Sequence, residues 1–321
     1  MKIVLTGASG FLGRETALAA VRRGHKVLAV RGTRESNIPG VVRTLSADLS
    51  RPQDFEIFLL EEFPDAIINC AAASSIEACE ANPARAEDLN IILPRSLAMM
   101  ANHLSARLIH VSSDMVFDGQ HGHYAHTARP APINLYGETK LAGEKEVLQY
   151  GRAFAVVLRL PVLSGNSAQG DHSLHERLLS EWVQGRKIPL YTDEICQPAD
   201  VGNIAEAMVE LCERDNLSGV YHWAGADALS RHEIGSRIAG HFGLDPDEVT
   251  LPVTRADLPP HEWRPRDLSL DLHPLRGKLK TRVQTFDEVL AAMQMPVRFA
   301  DWHHSKTGRR TVQRLVRGVD F

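Results

Sequence analysis

A tyrosine and a lysine stand four residues apart in YGETKLAGEKEVL, so Tyr136 and Lys140 share one face at the start of a predicted helix. An ammonium beside a phenol favours the phenolate and is expected to draw the tyrosine down from its usual pKa of about 10 toward neutrality. The same spacing also occurs on ordinary amphipathic helix surfaces, so the pair needs support from elsewhere in the chain. That support is LIHVSSDMVFDG, which places Ser112, Ser113 and Asp114 at the end of a predicted strand. Open parallel sheets bind ligands beyond the carboxyl ends of their strands. Reducing a ketone requires a hydride donor, a proton donor and a hydrogen bond to the carbonyl. Tyr136 is the candidate proton donor, Ser113 the candidate carbonyl donor, and Lys140 a group able to hold a nicotinamide ribose as well.

A site for the hydride donor is written in residues 7 to 13, GASGFLG, which follow the first predicted strand and open a helix near Phe11. Gly7 suits a tight turn, Gly10 the approach of backbone to a pyrophosphate, and Gly13 the packing of helix on strand, so that a diphosphate meets unpaired helix N–H groups. An ordinary strand-to-helix turn is the bland reading of the same glycines. The second strand ends in VLAVRGTR, with arginine where a carboxylate would grip the 2′-hydroxyl of NAD. Arg31 and Arg34 therefore favour NADP(H), with NAD(H) the alternative if both are solvated loop charges. Asp48, in SADLS after the third strand, is placed either to accept from the adenine amino group or to cap the helix that follows.

The elements that must position these groups alternate through the first 160 residues. KIVLTG, KVLAV, AIINCAA, RLIHVSS and AVVLRLP read as buried strands; ETALAAVRRG, FEIFLLEEF, LPRSLAMMANHL and LAGEKEVLQYG read as helices between them. The expected fold is α/β, a doubly wound parallel (Rossmann) sheet with a smaller C-terminal substrate lobe. Gly24 and Gly151 sit where helix C-termini take a left-handed residue. The expected organisation is a dinucleotide-binding domain over 1–165, with 190–226 returning to it, a substrate lobe from 166–189 and 227–296, and a basic extension over 297–321. In that extension Arg298, Lys306, Arg309, Arg310, Arg314 and Arg317 face only Asp301 and Asp320. With 321 residues, 44% of them hydrophobic, the chain can bury a large core. A net charge of −4 gives no reason to expect nucleic acid or an anionic membrane as partner. No run approaches the roughly 20 apolar residues of a membrane span, and no signal peptide is evident, so a cytoplasmic location is expected. Cys70, Cys79, Cys196 and Cys212 are too scattered for a disulfide framework or a zinc site and read as reduced packing residues.

Taken in order, GASGFLG, NCAA (69 to 72), SSDMVFDG (112 to 119), YGETK (136 to 140), LRLPVLSG (158 to 165), GVYHWAG (219 to 225) and RPRDLSLD (264 to 271) resemble the extended short-chain dehydrogenase/reductases, within them the dTDP-4-dehydrorhamnose reductase group. The resemblance covers roughly residues 1 to 296. It implies that Tyr136 protonates the substrate oxygen, Lys140 supports it, Ser113 donates to the carbonyl, and Asp114 lies beside the sugar ring. It implies a cofactor held by Gly7, Ser9, Gly10, Phe11, Leu12 and Gly13, by Arg31, Arg34, Asp48 and Leu49, by Cys70, Ala71 and Ala72, and by Asn90, Ser112, Tyr136 and Lys140. It places substrate against Ala73, Ser113, Asp114, Met115, Tyr136, Val162 and Arg264, the last in an RP pair with Pro265 or, more plainly, in a rim ion pair. The implied activity is NAD(P)H-dependent reduction of a keto group on a nucleotide-linked deoxysugar, by a homodimer.

The sequence also departs from that pattern. Val162 stands where the rhamnose reductases carry a tryptophan, and His126 replaces the usual acidic residue two after the loop tyrosine, here Tyr124. RLPVLSG, YHWAG and RPRDLSLD are similar as well to the regulatory subunit of methionine adenosyltransferase. This keeps open a non-catalytic, NADP-binding subunit with an enzyme partner, alongside an NAD-dependent sugar-nucleotide epimerase or dehydratase. His121, His123 and His126 invite a metal, but without cysteine support the expectation is no metal and a mobile loop over the substrate. Trp182 and Trp223 read as packing, and Trp263 as a packing residue or a wall of a sugar site. A serine hydrolase is excluded by the lack of a GxSxG elbow around Ser113.

Overall fold

A computed structural model describes residues 1–32, 37–257 and 264–308; Arg34, Trp263 and the basic residues from Arg309 onward lie outside the described residues. Seven strands form one sheet: β1 (Lys2–Thr6), β2 (Lys26–Arg31), β3 (Arg43–Ser46), β4 (Ala66–Asn69), β5 (Arg107–Ser113), β6 (Ala155–Leu160) and β7 (Gly219–His222). Their order is β7-β6-β5-β4-β1-β2-β3, and every neighbouring pair is parallel. The connections are α1 (Phe11–Arg22), α2 (Gln53–Glu62), α3 (Leu93–Leu104), α4 (Leu135–Gly151) and α5 (Val201–Cys212).

Alternation along the strands builds the two flanking layers. Ile3, Leu5, Ile68 and Leu158 point into a cluster with Ala17 and Ala20 of α1 and Ile204, Met208 and Leu211 of α5. Val4, Leu28, Ile67 and Val157 point the other way, against Phe55, Leu59, Leu93, Leu97 and Val147. Each large side chain so buried contributes roughly 1.5–3 kcal/mol, and burial on both faces explains why the strands read as unbroken apolar runs. The doubly wound parallel sheet is the architecture expected from the sequence. Its chain order reverses between β1 and β4, so the crevice at their carboxyl ends is where such sheets take ligands.

Helix ends follow local chemistry, with one difference from expectation. Gly24 takes a positive φ of 80°, as its place after α1 suggested. At the end of α4 the positive φ falls on Arg152 at 48°, while Gly151 stays helical with φ −82°. Gly151 is needed there for space, because a Cβ would stand 2.6 Å from that of Ala155.

A second cluster forms the lobe. Helices Leu174–Val183, Arg231–His241 and Phe286–Ala292 enclose Leu179, Trp182, Ile234, Ile238, Phe286 and Val289 beside a parallel pair, Ile188–Tyr191 with Thr250–Val253. Residues 297–308, expected as the start of an appended extension, instead pack into this lobe. Phe299 and His303 are buried, and the His303 ring bonds the Phe242 carbonyl at 2.6 Å. Trp223 is buried and donates to Asn203 at 3.0 Å. Among the described residues no helix is long and apolar enough to cross a membrane.

Candidate active site

The glycine turn closes on the crevice. Gly7 has φ 71°, and a Cβ on it would lie 2.6 Å from the Ala71 nitrogen, so β1 and the chain after β4 approach as only glycine permits. A Cβ on Gly13 would stand 2.1 Å from the Gly7 carbonyl oxygen, which seats α1 directly on the turn. Gly10 is the N-cap of α1; no side chain caps the helix and no acidic residue occupies its first turn. The first N–H groups of α1 therefore remain for an anion, and the donor set and the glycine cradle fit a dinucleotide diphosphate. A cleft of about 260 Å³ opens beside this turn, lined by Ser9, Gly10 and Phe11 on one side and Ser167, Gln169 and Asp171 on the other. Leu12 is buried in the core beneath.

Arg31 ends β2 as expected. Arg14, which the sequence reading passed over, also lines the cleft and donates to the Asn37 carbonyl at 3.1 Å, in the chain after β2. Its position directly after the last glycine of the motif was the available signal. Asp48 does not cap a helix: it accepts from Ser50 N at 3.1 Å and Ser50 Oγ at 2.8 Å, and the N-cap of α2 is Pro52. The Ser50 hydrogen bonds hold its carboxyl below the usual range. The Leu49 side chain belongs to the core, leaving only its backbone to meet a ligand.

The chain after β4 is braced by polar residues at strand ends. Asn69, buried, accepts from Thr6 Oγ1 at 2.6 Å and Ala71 N at 3.2 Å, and pairs with His110 Nδ1 at 3.1 Å. Thr6 and Asn69 were missed as supports, though each is a polar residue closing an otherwise apolar strand. Asn90 lies in a π-helical turn, Asp88–Ile92, ahead of α3. Its carboxamide accepts from Ala73 N at 2.9 Å and donates to Ala73 O at 3.1 Å and Thr139 Oγ1 at 3.0 Å. These bonds tie the Cys70–Ala73 chain to α4 and make Asn90 a brace, turned toward protein groups. Gly143 allows that approach, since a Cβ there would sit 2.0 Å from the Asn90 carbonyl oxygen.

The end of β5 and the start of α4 bring the reactive groups together. Ser113 Oγ donates to Asp114 Oδ1 at 3.0 Å and accepts from Met115 N at 3.2 Å. Asn134 caps α4 by accepting from Gly137 N at 2.8 Å, which fixes the half-buried Tyr136 in the first turn. Burial pushes Tyr136 up to about 12, opposed by the nearby Ser113 hydroxyl and reinforced by the Asp114 charge. Burial likewise raises Asp114 to about 7, opposed by Ser113 and by Arg231. Lys140 is buried and falls to about 8, with Glu144 opposing the fall. The expected depression of the tyrosine pKa by Lys140 is thus not found. The ammonium donates to the Val111 carbonyl at 2.6 Å, and desolvation governs the phenol. The phenol is held as the acid, loaded with its proton. Ser112, expected at the cofactor, turns instead to Glu144, donating at 2.5 Å.

On the lobe side, Arg264 pairs with Glu77 at 3.1 Å across to helix Ile76–Ala81, the rim ion pair the sequence allowed. Arg177 and Arg231, not foreseen, act on the same region. Arg177, exposed on helix Leu174–Val183, faces the charges of Arg231, Glu77 and Arg264, while Glu194 and Asp114 face Arg231. Val162 is half-buried against the lobe core. The histidine loop is not a free lid. Asp267 N bonds Gly119 O at 2.9 Å, Tyr124 N bonds Ser269 O at 2.9 Å, and Asp271 N bonds Tyr124 O at 2.9 Å, so the loop is zipped to the 265–271 segment. Among the described residues no three His, Cys, Asp or Glu side chains gather as a metal site.

The family model described as "RmlD substrate binding domain" matches residues 1–298. The chain belongs to that family. As such it is an extended short-chain dehydrogenase/reductase of the rhamnose reductase group. It is 33% identical to the probable low-salt glycan biosynthesis reductase Agl14 of Haloferax volcanii, over 92% of this chain and 97% of that protein. It is also 33% identical to methionine adenosyltransferase 2 subunit beta of Xenopus laevis, over 83% of this chain and 79% of that one. Among solved structures, a hypothetical dTDP-4-dehydrorhamnose reductase from Sulfolobus tokodaii superposes with a TM-score of 0.78 at 30% identity, covering 92% of this chain and 100% of that chain.

Proposed function

We propose that the protein is an NADP(H)-preferring reductase of a keto group on a nucleotide-linked deoxysugar. The observation that carries this reading is the meeting of Ser113, Asp114 and Tyr136 at the carboxyl edge of β5, beside the glycine turn of α1. Bound NADPH would supply the hydride. Ser113 donates to the substrate carbonyl and polarises it, and Tyr136 delivers a proton to the oxygen as negative charge develops there. A phenol pushed up to about 12 is fully protonated at neutral pH, and an alkoxide is more basic than a phenolate, so the proton moves toward product. Lys140, whose ammonium donates to the Val111 carbonyl, would also hold the nicotinamide ribose when the cofactor binds. Arg31 and Arg14 favour the 2′-phosphate of NADP, while Arg177, Arg231 and Arg264 favour the anionic nucleotide end of the substrate. The protein acts as a homodimer in this reading.

A second reading is supported by the equal identity to the adenosyltransferase subunit and by Val162, which stands where the rhamnose reductases carry a tryptophan. One experiment separates the two. NADPH oxidation is followed with a panel of nucleotide-linked 4-keto-deoxysugars, and the protein is passed over immobilised methionine adenosyltransferase catalytic subunit. Turnover on a keto sugar supports the reductase. Stoichiometric capture without turnover on any of them overturns it in favour of a regulatory subunit.

A further inference from the structure

One buried charge pair has no part in the chemistry above. Glu144 lies one turn beyond Lys140 on α4, with both side chains almost wholly buried. Its carboxylate accepts from Arg159 Nε at 2.9 Å and Nη2 at 2.7 Å, and from Ser112 Oγ at 2.5 Å. Arg159 is itself fixed: its guanidinium stands 5.0 Å over the Phe117 ring and 3.5 Å from His222 Nε2. Burial and Arg159 keep His222 down at about 3, so that ring is neutral and able to accept.

The other titratable groups facing Lys140 carry no charge at neutral pH. From the chain after β4, Cys70 is pushed up to about 12 by burial; from helix Ile76–Ala81, Cys79 is raised for the same reason. From β5, burial and the Lys140 charge hold His110 well below its usual range. On α4 itself Tyr136 is up at about 12. Glu144 is the anion left to face the ammonium. Because it is also bonded to Ser112, it ties the helix carrying Tyr136 and Lys140 to the strand end carrying Ser113.

We propose that Glu144, clamped by Arg159 and Ser112, is the positioning residue for Lys140: it supplies the opposing charge that keeps the ammonium protonated on the Val111 carbonyl, and it fixes α4 against the end of β5. The inference rests on the reductase reading for its consequence in catalysis, but its charge is measured on the free protein. Protein labelled with ¹³C-lysine is titrated by NMR at Cε, the Lys140 signal being assigned by its loss in Lys140→Arg. The wild-type midpoint is expected at about 8. Glu144→Gln moves it down by about one pH unit, whereas Glu144→Asp keeps most of it. If Glu144→Gln fails to fold, Glu144→Leu/Arg159→Leu removes both buried charges together and still moves the midpoint down, by less, because losing the guanidinium offsets part of losing the nearer carboxylate. NADPH affinity, followed by nucleotide fluorescence, then falls at correspondingly lower pH. An unmoved Lys140 midpoint in the folded variants overturns the inference. A moved midpoint in a protein that reduces no ketone sustains it and overturns the reductase reading instead.

Discussion

Asp114 offers the most quantitative perturbation. Its carboxyl is buried and raised from 3.8 to about 7. In the unfolded chain it ionises at its ordinary value, so between about pH 4 and pH 7 the folded state holds a proton that the unfolded state has released. Folding stability supplied by that proton is full below about pH 4, drains away as pH rises, and is gone above about pH 7. A shift of about three units corresponds to roughly 4 kcal/mol at most, since each unit is about 1.4 kcal/mol. Asp114→Asn keeps an oxygen to accept from Ser113 and removes the ionisation. Urea unfolding of both proteins at pH 5 and pH 8 reads the difference directly. About one unit of the shift is already lost at pH 5, so the Asn variant should gain on the order of 2–3 kcal/mol relative to wild type between the two pH values. A stability difference that is the same at both would mean that Asp114 is ionised without penalty in the folded protein.

Two further perturbations test the frame around the site. Gly13→Ala places a methyl 2.1 Å from the Gly7 carbonyl oxygen, so α1 must shift from the turn, and NADPH affinity by fluorescence titration should fall at least about tenfold while the fold persists. Asn90→Ala removes the bonds to Ala73 and Thr139, leaving buried polar groups unpaired; denaturant unfolding should show a loss of roughly 2–3 kcal/mol, and a loss under about 0.5 kcal/mol would deny Asn90 its bracing role.

The sheet was legible because its strands are buried on both faces: KIVLT, AIIN and AVVLRL carry their assignment in composition alone. The glycine turn and the Ser113, Tyr136 and Lys140 set were legible for a related reason, since each sits at an element boundary that the apolar pattern marks. What escaped was everything decided by distance across the fold. That Lys140 turns to the Val111 carbonyl, that Ser112 turns to Glu144, and that the histidine loop is zipped to residues 265–271 depend on contacts between segments far apart in sequence. The direction of the Tyr136 shift was misjudged because spacing along a helix reveals a neighbouring charge but not the desolvation that outweighs it. Arg177 and Arg231 escaped because an arginine in a lobe helix looks like any solvated charge until the helices are placed.

In the proposed reaction Tyr136 delivers the proton to a substrate ketone. Single-turnover oxidation of NADPH by wild type and Tyr136→Phe, with a nucleotide-linked 4-keto-deoxysugar in excess, tests it most directly. The expected result is a loss of at least about a hundredfold in the rate of the chemical step, with NADPH binding changed by less than about threefold. A Phe variant that reduces the sugar at the wild-type rate would contradict it.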